Sequence, residues 1–136
     1  VYKLGSDEWL GAFKKAINDS AAYADAAKTW EGDFYFIVDP DEVIADEIIM
    51  YVDLWHGKCR DAFRATDRAQ RDPAFVINGP ESVWRKVIEK KLDPIQGLMT
   101  RQIKLKGDMV KVMKAVRAAK ELVECTTLVP TQFYHE

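Results

Sequence analysis

The stretch that most narrows what this chain can become runs from Leu92 to Val123, LDPIQGLMTRQIKLKGDMVKVMKAVRAAKELV. Three hydrophobic spacings succeed one another there with only Gly and Asp as punctuation. Asp93-Pro94 starts a helix, because an Asp side chain accepts from the free N–H groups of a first turn and Pro at the first helical position gives up no needed donor. Ile95, Leu98 and Met99 then share one face. From Arg101 to Lys106 the spacing becomes two, with Ile103 and Leu105 on one side and Gln102, Lys104 and Lys106 on the other, as in a strand covered on a single face. Gly107-Asp108 turns the chain and caps a last helix. Its apolar positions Met109, Val112, Met113, Val116 and Val123 recur near the helical period, while Lys111, Lys114, Arg117 and Glu121 point elsewhere. Such a unit can wall an apolar cavity. The plainer alternative is a solid core, which flexible thioether side chains fill equally well.

The rest of the chain supplies a sheet and more helices. Asp7 and Glu8 open a helix whose apolar positions are Trp9, Leu10, Phe13, Ala16 and Ile17, and Ser20 to Thr29 continues as a second short helix with Tyr23 its one large side chain. Phe34 to Val38 is a strand closed by Asp39-Pro40-Asp41. Ile48 to Trp55 and Cys59 to Thr66 are strands around a tight turn at His56-Gly57-Lys58, and the polar face of the second marks it as an edge or solvated strand. After the charged loop Asp67 to Asp72, Phe75 to Ile77 is a short strand and Glu81 to Lys91 a helix with Val83, Trp84, Val87 and Ile88 inward. This order, a helix, three meandering strands, a crossover, a strand, helices, a strand and a helix, predicts an α+β fold, a five-stranded mostly antiparallel (mixed) sheet with helices gathered on one face. The strands at Phe75 and Arg101, separated by two helices, are expected to run parallel through a crossover. The tail Cys125 to Glu136 holds Leu128, Val129, Phe133 and Tyr134, which need cover, so it either lies back over the body or frays.

The order DPIQGLMTRQIKLKGDMVKVMKAV resembles the C-terminal signature of the sterol carrier protein 2 (sterol-transfer) family: a helix led by a pair like Asp93-Pro94, a strand, then KGD and a helix of the type MVKVMKAV. Trp30-Glu31-Gly32-Asp33 followed by FYFIVDP looks like that family's first strand, and Phe75-Val76-Ile77-Asn78-Gly79 like its fourth, so the resemblance runs from about Trp30 to Val123. It implies a domain that binds a fatty acid, acyl-CoA, phospholipid or sterol-like ligand in a tunnel between sheet and helices, with no covalent chemistry and no cofactor. The lining is then expected among Phe36, Trp55, Phe75, Ile77, Trp84 and Ile88, with Ile95, Leu98, Met99, Ile103 and Leu105 and the later Met109, Val112, Met113 and Val116. Arg101 or Gln102 is expected at the entrance, holding a polar head. The tail ends Tyr-His-Glu, where peroxisomal members carry a Ser-Lys-Leu type tripeptide, which speaks against a peroxisomal home.

Composition bounds the alternatives. A chain of 136 residues is expected to form one domain, 1–136, able to bury its own core. No apolar run reaches bilayer length and no signal-peptide pattern opens the chain; a start at Val1 rather than Met fits removal of a residue or a longer segment. Cys59 and Cys125 form no CxxC, which suggests neither a disulfide framework nor zinc, and a reducing cytoplasm is the expected compartment. Residues 1–83 carry nine Lys and Arg against sixteen Asp and Glu, whereas 84–120 carry eleven against three. That basic segment is either a solvated face or a collar around the cavity mouth, with Lys86, Lys90, Lys104, Lys106, Lys111 and Lys114 attracting an anionic membrane or an acidic protein. Nucleic acid is not expected, since aromatics are not interleaved with it. The oligomeric state stays open.

Catalytic chemistry finds little to use. His56 lies in a turn and His135 beside the end; His56 with Cys59 makes only two ligands, and Asp39, Asp41, Glu42, Asp46 and Glu47 lack the EF-hand pattern. Asp53 and Asp61 are the sole paired carboxylates able to serve as acid and base, and pairing with Arg60 or Arg64 across the hairpin is the simpler role. Two rivals remain: a small cone-shaped α+β enzyme with Asp53 or Asp61 deep in a pocket, and an accessory interaction or substrate-presenting module in which the Met109–Val116 stripe is fully packed.

Overall fold

The computed structural model describes residues 1–135. Its elements are β1 (Tyr2–Lys3), α1 (Asp7–Asn18), α2 (Ala21–Ala26), β2 (Glu31–Val38), β3 (Ile48–Trp55), β4 (Lys58–Ala65), β5 (Phe75–Gly79), α3 (Glu81–Ile88), α4 (Pro94–Met99), β6 (Lys104–Lys106), α5 (Met109–Lys114), α6 (Val116–Thr127) and β7 (Thr131–Gln132). Side-chain caps set most helix starts. Ser6 accepts from the Trp9 N–H, Ser20 from Tyr23, Asp93 from Ile95 and Gln96, and Asp108 from Lys111.

The main sheet has five strands in the order β4-β3-β2-β5-β6. It is mixed, as the sequence predicts, but the parallel pair is elsewhere. β2 runs parallel to β5, with Phe36 opposite Ile77, and β5 runs antiparallel to β6, with Ile77 opposite Leu105. The expectation of a parallel β5–β6 pair is therefore corrected. Gly79 at the end of β5 abuts Gln102 and Ile103, so α3 and α4 together return the chain to the end it left, and the next strand must run backwards. A single helix would have carried it to the other end.

Side-chain alternation gives the sheet two different faces. Phe34, Ile48, Met50, Val52, Leu54, Phe75 and Ile77 face the helices in one large core, with Phe36 packed against it. Tyr35, Ile37, Ile49, Tyr51 and Ala65 form a thin second layer on the opposite face. The loop 66–74 reaches over that layer. The Tyr35 hydroxyl accepts from the Arg71 N–H at 2.7 Å, and the Arg71 guanidinium lies over the Tyr51 and Phe63 rings. Both sheet edges are guarded. Asn18 of α1 brackets Cys59 of β4, donating to its carbonyl at 2.9 Å and accepting from its N–H at 2.8 Å. At the other edge β6 is three residues long and flanked by exposed Lys104 and Lys106, which discourages pairing with another chain.

Two further expectations are revised. The last helix is not continuous: it breaks at Ala115 (φ −92°, ψ 39°) into α5 and α6, and α6 runs on past Val123 to Thr127. The alternating strand starts only at Lys104, because Arg101 adopts a left-handed conformation (φ 60°) that closes α4. The tail lies back on the body. β7 pairs in parallel with β1, the Trp9 indole donates to the Thr131 hydroxyl at 2.8 Å, and the buried Glu81 carboxylate accepts from the N–H groups of Tyr134 and His135 at 2.7 Å each.

Candidate functional site

Between the sheet and its helices lies a cavity of about 140 Å³, walled almost wholly by hydrocarbon. The sheet contributes Phe34, Phe36, Met50, Val52, Leu54 and Ile77, and α1 contributes Trp9, Leu10 and Phe13. Trp84, Val87 and Ile88 come from α3, Pro94, Ile95 and Leu98 from α4, and Val112 from α5. The roof is α6, through Ala118, Ala119, Leu122, Val123 and Thr126, with Ala115 just before it. These positions recur at helical spacing, and three of them are alanine. A methyl group where a Leu would reach the sheet leaves space. Small residues along this stripe therefore leave room beneath the roof. Phe36, in the middle of the central strand, retains some accessible surface although every neighbouring core residue of β2 is buried.

The break at Ala115 decides which residues face this space. In a continuous helix the stripe Met109-Val112-Met113-Val116 would lead inward. Instead Val112 alone of these four borders the cavity, and beyond the break the inward face passes to Ala118, Ala119 and Leu122, which the sequence reading does not single out. Of the residues anticipated as lining, the structure brings together Phe36, Ile77, Trp84, Ile88, Ile95, Leu98, Ile103 and Val112. It places the others outside the wall. Met99 is 65% exposed, Met109 and Val116 are exposed, and Trp55 lies at the surface between the Arg60 guanidinium and the His56 ring. Phe75 is buried in an aromatic cluster, 5.3 Å from Trp30 and 5.0 Å from Phe34; Leu105 and Met113 are half-buried against the core. Walls from the N-terminal half, Leu4, Trp9, Leu10, Phe13, Tyr23 and Trp30, were also unmarked. The apolar face of α1 was the available signal, since it had to dock on something.

Arg101 and Gln102 sit exposed in the bend that leads into Ile103, which itself borders the cavity; Gln102 donates to the Thr100 hydroxyl at 2.9 Å. Within the basic segment, Arg85, Lys90, Lys91 and Arg117 pair with acidic side chains, and Lys111 donates to the Glu31 carbonyl over the Trp30 ring. Among the described residues Lys86, Arg101, Lys104, Lys106, Lys114 and Lys120 have no acidic partner within salt-bridge distance.

The titratable candidates lie away from the cavity. Asp53 and Asp61 oppose each other on the loop-covered face, and Asp53 accepts from Arg60 at 3.0 and 3.2 Å. The cross-hairpin ion pair is thus the role observed, and the deep pocket that the enzyme reading required for them is on the other side of the sheet. His56 bonds Glu31, while Cys59 is buried with its thiol on the Asp61 carbonyl, so the two do not converge as metal ligands. Burial pushes the Cys59 thiol up to about 12. Asp41 spends one oxygen on the Val43 and Ile44 N–H groups and the other on His135, which its hydrogen bond holds above the ordinary imidazole range. Glu42 stands beside this pair. Among the described residues no helix is long and apolar enough to cross a membrane.

Fold and site together define an α+β domain whose five-stranded sheet and helical roof flank an apolar cavity. The model of the SCP-2 sterol transfer family matches residues 11–120. Two solved structures are similar at 32% identity. One is a crystal structure of sterol carrier protein 2, covering 94% of this chain and 100% of its own at a TM-score of 0.84. The other is the solution structure of a conserved hypothetical protein, possibly sterol carrier protein, from Thermus thermophilus, covering 96% of this chain and 92% of its own at 0.87. A palmitated sterol carrier protein 2-like protein from Aedes aegypti shares the fold at 16% identity, 79% and 91% coverage and a TM-score of 0.53. No curated protein matches the sequence. The chain belongs to the SCP-2 sterol transfer family.

Proposed function

We propose that this protein binds a fatty acid, acyl-CoA, phospholipid or sterol-like ligand in the cavity beneath α6 and carries it, performing no covalent step. The observation that carries the reading is the void itself, about 140 Å³ with an almost unbroken hydrocarbon wall. Natural cores are packed as densely as organic crystals, and an apolar space of about 150 Å³ stays dry and admits a benzene-sized guest. A longer acyl chain requires the half-buried part of the wall, Ile95, Ala118, Ala119 and Leu122, to move outward. Burial supplies the means: each methylene taken from water contributes about 0.8 kcal/mol. A charged head stays at the surface, where Arg101 and the unpaired lysines of 84–120 offer it counter-charge, and the same residues suit an anionic bilayer as donor or acceptor.

Trp84 and Trp30 border the cavity, so guest entry is readable in their emission. Palmitate, the ligand of the Aedes aegypti neighbour, is the first probe. Saturable change in tryptophan emission on titration, and copurified lipid in native mass spectra, are the expected results. A protein that arrives empty and leaves palmitate and benzene alike unbound refutes the reading. Transfer between vesicles should quicken with anionic lipid content and slow with salt; transfer indifferent to both removes the bilayer contact while leaving the cavity reading intact.

A further inference from the structure

Tyr23 is 2% exposed and borders the cavity. Its hydroxyl neither donates nor accepts a hydrogen bond among the described residues, whereas every other polar group of the wall is engaged. The indoles of Trp9, Trp30 and Trp84 donate to the Thr131 hydroxyl and to the carbonyls of Gly32 and Ile37, and the Thr126 hydroxyl donates to the Val123 carbonyl. No side-chain oxygen or nitrogen among the described residues is both sealed off and unpartnered. The Tyr23 hydroxyl therefore keeps some accessible surface, and Tyr23 borders the cavity. Burial, helped by the neighbouring Cys59 and Cys125, pushes the phenol far above the ordinary tyrosine range, so it remains a neutral donor. Polar groups in protein interiors are almost always partnered, and one without a protein partner on a residue that walls a binding space marks where a ligand partner belongs.

We propose that Tyr23 is the polar anchor of this cavity and selects guests that carry one neutral oxygen, a hydroxyl or a carbonyl, at the buried end. The inference rests on the cavity being the ligand site and adds the chemistry of what enters first. The wall contains no Lys, Arg or His, so a carboxylate or phosphate beside Tyr23 is an unpaired buried charge, which is far costlier than a neutral oxygen. A bare hydrocarbon end leaves the phenol unmet. The buried end of the preferred guest is thus neither ionic nor purely aliphatic.

The test is a cycle of three ring-sized probes, benzene, phenol and benzoate, against the wild type, Tyr23→Phe and, from the opposite face of the sheet, Tyr51→Phe, read by calorimetry, with circular dichroism confirming that each variant folds. Loss of one hydrogen bond lowers the phenol-to-benzene affinity ratio in Tyr23→Phe by about two- to tenfold. Tyr51→Phe leaves that ratio unchanged, and benzoate binds the wild type more weakly than phenol. A ratio indifferent to Tyr23→Phe, an equal drop in Tyr51→Phe, or benzoate matching phenol overturns the anchor while benzene binding keeps the cavity reading alive. Failure of both neutral probes to bind any of the three proteins overturns the cavity reading and the anchor with it.

Discussion

Ala119→Leu probes the emptiness beneath α6 most directly, because a void and a packed core respond with opposite signs. Ala119 faces the cavity from the first turn of α6. At about 24 cal/mol per Å³, eliminating a void of about 140 Å³ recovers at most about 3 kcal/mol. The three carbons that Leu adds contribute about 2.4 kcal/mol at about 0.8 kcal/mol per buried methylene. Fixing the Leu rotamer costs about 0.5–1 kcal/mol, and the helix preference for Ala takes a few tenths more. The net expectation is a stabilisation of about 1–1.5 kcal/mol, a rise of roughly 3–6 °C in Tm for a domain of this size. Urea unfolding and thermal melts followed by circular dichroism measure it, and calorimetry with benzene should show that the guest no longer binds. Overpacking a filled core costs about 1–3 kcal/mol instead. A destabilised Ala119→Leu that still binds benzene as the wild type does would refute the account of the cavity.

Other substitutions examine the frame. Glu81→Ala strips the acceptor from two backbone N–H groups of the tail, at about 1.5–3 kcal/mol for a hydrogen bond to a charged group, and hydrogen exchange should quicken first at Tyr134 and His135. Gly57→Ala forces a Cβ to within 2.6 Å of the Ala24 carbonyl at a positive φ, and a loss exceeding about 1 kcal/mol is expected from chemical denaturation. Both thiols are buried and raised, Cys59 to about 12, so neither should react with a thiol reagent at pH 8 until the protein unfolds; prompt labelling of Cys59 contradicts the packing of α1 on β4. His135 should titrate by NMR above the ordinary histidine midpoint and return toward it in Asp41→Asn. Because its folded pKa is raised, the stabilisation from this contact is complete below the unfolded value near 6.5 and fades as pH climbs through the folded one, while the lowered pKa of Asp41 withdraws the contact again at strongly acid pH.

Much of this architecture was readable wherever local chemistry and periodicity agreed. Asp93 and Asp108 cap the helices they precede, Trp9, Leu10, Phe13 and Ile17 are the buried stripe of α1, and Gly57 makes the hairpin, whereas the caps at Ser6 and Ser20 were not read. The direction of β6 beside β5 was not readable, since it follows from how two short helices return the chain, and no residue in 80–103 encodes that return on its own. The cavity was half legible. Ile95, Leu98, Ile103 and Val112 announce themselves by spacing, whereas Ala118 and Ala119 are good helix formers that leave no mark in an apolar pattern, and what matters about them is the side chain they lack. The break at Ala115 carries neither Gly nor Pro. It emerges only in three dimensions, where Val112 and the alanines reach the same space from two axes.

The ribbon between β1 and β7 ties residue 2 to residue 131, so closing it spans nearly the entire polymer. Loop closure over that length is the most entropically demanding contact in the molecule, and two residue pairs give little in return. This knot should therefore tighten last during folding and slip first under thermal agitation. Leu4 follows immediately after β1 and borders the cavity, so any loosening where the two distant segments meet is felt at once in the vessel's wall.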